Sequence, residues 1–407
     1  MSITRSDVLI LGGGLVGATL ALALARHGLA CTVVDPADPA VTLAPGFDGR
    51  ASAIASASAR MFDAIGLSER LGGLGCPIAA IRVSDGLKPG RLDFTPDADD
   101  GALGMMYENR ALRRALHAAV EGADGVDLRM RTRALAVERG PHGVAAALSD
   151  GTEARAPLVV VAEGRNSPTR EAAGIRVARW SYDHAAVIGA FHHERPHGQV
   201  AFEIFYPAGP FALLPLTDDE QGHRSAIVWT VAGGDAGAML KLSDRAFLAE
   251  AEKRMGGFLG ALHGASPRAS YPLGFHHAAT ITAERLALVG DAGHGVHPIA
   301  GQGLNLGLRD VAALVEVLVD GRRLGLDGGD AQLLARYQRW RALDTFAIAA
   351  ATDGLARLFG VPGATASAVR RLGISAVNAV EPLKRAFMAE ARGESGDLPR
   401  LLTGAMV

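Results

Sequence analysis

Residues that could hold a ligand by charge and by backbone lie at two distant places in this 407-residue chain. In the later one, Leu286-Ala287-Leu288-Val289 reads as a buried strand, Gly290-Asp291 closes it, and Gly301-Gln302-Gly303-Leu304-Asn305 opens a new apolar repeat. A carboxylate that accepts hydrogen bonds and a helix N-terminus carrying roughly +0.5 of an elementary charge then face one ligand. In the earlier one, Asp7-Val8-Leu9-Ile10-Leu11 runs straight into Gly12, Gly14 and Gly17 at G-x-G-x-x-G spacing. That turn lets backbone approach a pyrophosphate and aims a helix N-terminus at its charge. The strand Cys31-Thr32-Val33-Val34 ends at Asp35, an acid suited to a ribose diol.

The elements that position these groups follow from the hydrophobic periods. A helix is expected from Ala18 to His27, stopped by Gly28, and a second from Leu304 onward, where Leu304, Leu308, Val311, Val315 and Leu318 form one buried face. A dehydrogenase that uses a nicotinamide dinucleotide needs only the first unit. The second Gly-Asp segment therefore fits a larger, two-part cofactor. A third strand, Leu158-Val159-Val160-Val161-Ala162, runs into Glu163-Gly164-Arg165-Asn166-Ser167-Pro168-Thr169-Arg170. His294 and His297 lack Cys or acidic partners at ligand spacing, so no metal site is expected. No Ser/His/Asp or Cys/His constellation is evident.

Composition removes several classes. With 41 basic against 43 acidic residues, a net charge of -2 and 5% aromatic residues, nothing points to nucleic acid. No uninterrupted run of 18 apolar residues is present, so no spanning helix is expected. Cys31 falls in a core strand and Cys76 in a Gly-Pro loop; two unrelated thiols and no secretory leader give a cytoplasmic expectation. The length suits two connected lobes.

The motifs in combination resemble a known superfamily. They are Gly12 to Gly17, Asp48-Gly49-Arg50-Ala51-Ser52, Tyr107-Glu108-Asn109-Arg110, Glu163 to Arg170, Gly290-Asp291 and His297-Pro298-Ile299-Ala300-Gly301-Gln302-Gly303-Leu304-Asn305. The chain is similar over nearly its whole length to the FAD-dependent aromatic hydroxylases (group A flavoprotein monooxygenases), in their ubiquinone-biosynthesis branch. The resemblance implies an α/β fold: a Rossmann-like FAD-binding domain (three-layer ββα), an inserted, mainly antiparallel β-sheet substrate domain and a C-terminal helical segment. It implies that Gly12, Gly14, Gly17 and Asp35 hold the ADP half of a tightly but non-covalently bound FAD, with Arg50 at the pyrophosphate and Asn109 and Arg110 lining the cofactor. Asp291, after Gly290, would meet the ribityl hydroxyls, and backbone around Gly303, Leu304 and Asn305, reached through Pro298 and Gly301, the flavin N1 and O2 edge. Glu163 stands where the superfamily has an Asp that helps FAD and nicotinamide binding, so the resemblance implies a cofactor-binding role for it, with its charge displaced by about one C–C bond, roughly 1.5 Å.

The chemistry implied is reduction of FAD by NADH or NADPH as a transient reductant, addition of O2 to give a C4a-hydroperoxide, and hydroxylation of an aromatic ring, a polyprenylated phenol in this branch. A smaller phenol, or a non-catalytic FAD-binding subunit of a quinone-biosynthesis complex, are the alternatives. His192, His193, Tyr206 and His276 are candidates by location for a base acting on the phenol. The expected division is 1–75, 101–175 and 273–345 for the FAD-binding domain, 76–100 and 176–272 for the substrate domain, and 346–407 for the helical segment. Between Arg176 and Pro272 the pattern is strands and hairpins, joined at the edge by Ile81 to Phe94, while Val126 to Ala156 reads as a hairpin in the cofactor lobe. Helices are expected over Ala331 to Phe359 and Ala364 to Met388, the latter broken by Gly373 and Pro382. Their basic residues fit an anionic membrane surface, a docking face for partner enzymes, or a solvated edge. The oligomeric state stays open, a homo-oligomer included.

Overall fold

Three strands without polar alternation sit at the centre of the cofactor lobe: Val8–Leu11, Leu158–Val161 and Leu286–Leu288, every residue buried. Uniformly apolar strands of this kind belong to parallel sheets covered on both faces. In this computed structural model, which describes residues 2–97, 99–296, 301–342, 344–345, 377–378 and 380–407, they are neighbours in a six-stranded sheet. Its order is Thr282–Ala283, Leu286–Leu288, Leu158–Val161, Val8–Leu11, Cys31–Asp35, Val126–Met130. Val161 lies opposite both Leu11 and Leu288, so three segments remote in sequence end at the same level.

Helices cover one face of that sheet. Leu20 and Leu24 of the helix Leu15–Arg26 share one core with Leu308, Val311 and Val315 of the helix Gln302–Arg323. Ile3–Arg5, Glu153–Ala156, Gly143–Leu148 and Ala134–Gly140 form a four-stranded sheet whose Val144, Ala146, Leu148 and Ala154 join the same core, giving three layers, ββα.

The second lobe is a nine-stranded, mainly antiparallel sheet built around the 17-residue strand Val177–His193, which pairs with Gly222–Ala232 on one side and Ala269–Ala278 on the other. Alternation sorts its side chains. Ala185, Val187, Phe191 and Trp229 pack with Phe247, Ala251 and Met255 of the helix Asp244–Met255. Ala190, Ala226 and Leu216 join Cys76, Ile78 and Met106.

Several expectations are corrected. The region expected to be strands and hairpins contains the helices Ala236–Lys241 and Asp244–Met255, the second capped by the Ser243 hydroxyl on Ala246 N and closed by Gly256 in the left-handed conformation. Its helical period was hidden among strongly alternating neighbours. Cys76 lies in the strand Gly75–Ile78, not in a loop. Val126–Met130 joins the central parallel sheet, and Ala134–Gly140, Gly143–Leu148 and Glu153–Ala156 make an antiparallel meander instead of one hairpin. The first long helix starts at Leu15 and the second at Gln302. Residues 331–342 are helical, whereas the rest of the Ala331 to Phe359 expectation beyond residue 345, and most of Ala364 to Met388, lies outside the described residues. Pro382 opens the helix Glu381–Ala391 instead of breaking one, because a first-turn N–H has no helical acceptor to lose.

Truncating Phe247 to Ala should cost about 3–5 kcal/mol, read as a lower denaturant midpoint. A loss under about 1 kcal/mol would contradict its place between helix and sheet.

Candidate active site

The three central strands open at one edge, and each runs into one of the motifs. Gly12 N bonds Val34 O (2.8 Å), Ala162 N bonds Leu11 O (2.7 Å) and Val289 N bonds Val161 O (3.1 Å), so the turns emerge side by side. Glycine is required where they crowd. A Cβ on Gly17 would stand 1.8 Å from Gly12 O, and one on Gly12, at φ +105°, would stand 2.4 Å from Ala162 O. Gly14 differs: it is exposed, and a Cβ there would meet no protein atom within 4 Å. Backbone thus borders open space at the point where the motif would admit a pyrophosphate. Val16 carries the connection onward, since a Cβ on Gly290 would lie 3.1 Å and one on Gly307 2.8 Å from Val16 Cγ2.

Both helices that point into this crevice lack side-chain caps: Gly14 precedes Leu15–Arg26 and Gly301, at φ +63°, precedes Gln302–Arg323. The helices Pro168–Ala172 and Asp244–Met255 are capped by Ser167 and Ser243. First-turn N–H groups left without a cap are available to an anion or to a flavin edge. Gly303 adds to the opening, with nothing within 4 Å of a would-be Cβ. Residue types, open glycine edges and bare helix ends all fit a dinucleotide carrying a second ring system.

The polar groups divide. Asp291 is exposed, yet crowding by protein raises its carboxyl, with His294 and Arg165 opposing the rise; it lines a recess. Asp35 accepts from Gly13 N (2.6 Å) and Ala37 N (2.7 Å), which leaves lone pairs for a diol. Arg50 is exposed and its carbonyl accepts Asn109 N at 3.0 Å. The Asn109 side chain accepts the Ser52 hydroxyl at 2.6 Å. Arg110 turns to the 45–46 loop, donating to Pro45 O (3.0 Å) and Gly46 O (3.3 Å). The Asn305 side chain is also structural, bonding Ala55 N, Ser58 Oγ and Ala53 O, so that only its backbone is left for a cofactor. Leu304 is half-buried beside it. Pro298 lies outside the described residues.

Glu163 spends its extra methylene on the following helix. Its carboxylate accepts Ser167 Oγ (2.6 Å), Thr169 N (3.1 Å) and Thr169 Oγ1 (2.9 Å). The base candidates are dispersed. His192 pairs with Asp219 at 2.9 Å, His193 bonds Ser225 Oγ at 3.0 Å, and the Tyr206 hydroxyl donates to Arg254 O. His276 lies under the Gly-Asp turn, where Nε2 meets Asp291 O at 2.7 Å; burial pushes its imidazole down to about 4.

Two residues of the Glu163 to Arg170 motif and one outside every motif add to the crevice. Arg170, fully buried, donates from one Nη1 to Arg165 O (3.0 Å) and Ala292 O (2.9 Å), tying two motif loops together. Arg165 reaches the recess: a Cβ on Gly295 would lie 3.2 Å from its Nη2. Tyr271 pairs across from Ala186, on the face whose Ile188 meets Gly49. Burial raises its phenol, with Arg50 and Arg165 opposing. Arg165 and Arg170 belong to the motif that follows the strand Leu158–Val161, whereas no local motif marks Tyr271, which strand register brings in.

A fold with this crevice, in which one dinucleotide fingerprint and one Gly-Asp turn share an edge, defines a flavoprotein. Residues 5–350 match the FAD binding domain family, and the chain belongs to it. It is an FAD-dependent monooxygenase of the hydroxylase kind. It is 47% identical over 402 residues to the ubiquinone hydroxylase of Rhodospirillum rubrum, covering 98% of this chain and 93% of that protein. It is 33% identical over 392 residues to the 3-demethoxyubiquinol 3-hydroxylase of Escherichia coli, covering 95% and 98%. Its fold matches p-nitrophenol 4-monooxygenase from Pseudomonas putida with TM-score 0.79, at 18% identity and over 98% and 100% of the two chains.

Two outcomes follow. Gly14→Ala should leave the apoprotein's melting temperature unchanged and weaken FAD binding, whereas Gly17→Ala should lower the melting temperature itself; the reverse pattern would contradict the packing. His276 excludes its proton in the folded state, so its contribution is full above its ordinary 6.5 and is lost as pH falls toward 4, about 3 kcal/mol in all. Denaturation of the native chain and of His276→Gln at pH 7 and pH 4.5 should show a steeper acid loss for the native chain. Parallel losses would remove His276 from the account.

Proposed function

We propose that this protein hydroxylates the aromatic ring of a polyprenylated phenol in ubiquinone biosynthesis, with NADH or NADPH as a transient reductant and O2 as co-substrate. The observation that carries the proposal is the meeting of the Gly12 to Gly17 turn and the Gly290-Asp291 turn in one crevice beside an antiparallel sheet. The near-full-length similarity to proteins named as ubiquinone hydroxylases supports the substrate class. FAD, when bound, supplies the redox chemistry that passes one oxygen atom of O2 to the ring.

The roles left to the chain are binding, orientation and exclusion of water. Gly12, Gly14, Gly17 and Asp35 hold the ADP half, with Arg50 near the pyrophosphate and Asn109, Arg110 and Glu163 shaping the surrounding loops. Gly290 and Asp291 meet the ribityl chain. The bare helix start at Gly301, Gly303, Leu304 and Asn305, approached through Pro298, favours negative charge on the reduced ring. Tyr271, with Arg50 and Arg165 acting on it, gives the chamber a polar end for a phenolic oxygen, while Ala186, Ile188 and Val228 supply apolar floor.

The proposed division assigns 1–75, 101–175 and 273–345 to FAD, 76–100 and 176–272 to substrate, and 346–407 to the helical segment. Among the described residues no helix is long and apolar enough to cross a membrane. Val380, Leu383 and Phe387 are exposed on one stripe beside Lys384 and Arg385, which supports peripheral contact with the inner face of a membrane, where a prenylated substrate resides.

The test is incubation of the FAD-loaded protein with NADH or NADPH, O2 and a prenylated phenol, followed by mass spectrometry. One added oxygen atom in the ring, with reductant and O2 consumed together, is expected. Product from a small phenol alone would move the substrate class. FAD binding without any turnover would leave a non-catalytic subunit.

A further inference from the structure

Asp310 does not face the crevice, yet its carboxylate is where three segments of the site meet. Oδ2 accepts Gly290 N at 2.9 Å and His294 Nε2 at 2.6 Å. Oδ1 accepts Arg341 Nε at 2.8 Å. Both the Asp310 and Arg341 side chains are 1% exposed. Burial alone would raise the Asp310 carboxyl, but His294 and Arg341 outweigh it and hold it below the ordinary range. The charge pattern continues outward, with Arg341 Nη1 on Asp344 at 2.7 Å and Arg309 Nε on Asp344 at 3.0 Å. Tyr337, from the same helical stretch 331–342, donates to Leu288 O at 2.8 Å, on the strand that leads into the turn.

A buried ion pair in place of apolar packing is a weak source of stability, so stability alone does not explain it. It gives direction instead. Gly290 sits at φ +58° with Val16 against its Cα face. Among the described residues its N–H, the first donor of the Gly-Asp turn, has its acceptor in Asp310. His294 anchors the far end of the turn to the same oxygen, and His276 holds Asp291 O from below at 2.7 Å. The turn is pinned on both sides of Asp291, which is left free to meet a ligand.

We infer that Asp310 is the positioning residue of the flavin site, fixing the Gly290-Asp291 turn and coupling it through Arg341 to the helix over 331–342. The inference rests on the FAD assignment. By thermodynamic reciprocity, if docking of that helix favours FAD binding, FAD favours docking of the helix.

Two measurements on the full-length chain test this. In the native protein, adding FAD to the apoprotein should slow amide hydrogen exchange across 331–342 as well as at 290–294. Protection confined to the crevice, with 331–342 unchanged, would overturn the coupling. In the variants, Asp310→Asn leaves buried Arg341 with Asp344 as its remaining counter-charge, so the double variant Asp310→Asn/Arg341→Met is the cleaner probe. Its apoprotein should melt near the native temperature, its Kd for FAD should rise tenfold or more, and the visible circular dichroism of bound flavin should change. A folded double variant with native Kd and native flavin dichroism would overturn the inference. A native apoprotein that takes up no FAD would instead sink the cofactor assignment itself.

Discussion

The parallel register of three buried strands is the constraint on which the rest depends. Leu158–Val161 lies between Val8–Leu11 and Leu286–Leu288, and its backbone bonds to both bring a turn from the start of the chain beside one from its last third. Open parallel sheets bind ligands beyond the carboxyl ends of their strands. Here the carboxyl ends carry Gly12, Ala162 and Val289, which makes the location of the crevice a consequence of pairing rather than of any single side chain. A register slip in the middle strand would separate the two halves of the cofactor site.

Backbone does most of the binding that such a site needs. The glycines that permit close approach are of two kinds. Gly12 and Gly17 hold helix against strand, while Gly14 and Gly303 border open space. The two bare helix ends supply donors and partial positive charge. Three side chains within the motifs fasten loops: Arg110 the 45–46 loop, Asn305 the strand Ala51–Ala55, and Glu163 the helix Pro168–Ala172. The Glu163 carboxylate receives two hydroxyls and an N–H from Ser167 and Thr169.

Local signals were enough for the parts of the site that are local. The strand-to-glycine turns at Leu11 and Val289, and the buried faces of the two long helices, follow from short windows of sequence. The helix Asp244–Met255 did not, since its period is brief and lies among alternating strands. The contacts of Asp310, Arg170 and Tyr271 were not legible for a different reason. Asp310 meets Gly290 and Arg341 across 20 and 31 positions, and Arg170 meets Ala292 across 122, so their partners exist only once the sheet is assembled. Their burial as charged or hydroxylated residues is meaningful only beside those partners.

A crystal structure of the chain with FAD bound tests the central claim most directly. The adenosine diphosphate should lie on Gly12, Gly14 and Gly17, the ribityl chain against Asp291, and the isoalloxazine N1 and O2 edge at the start of the Gln302–Arg323 helix. Flavin density that touches only one of the two turns, or lies away from their shared edge, would contradict the account.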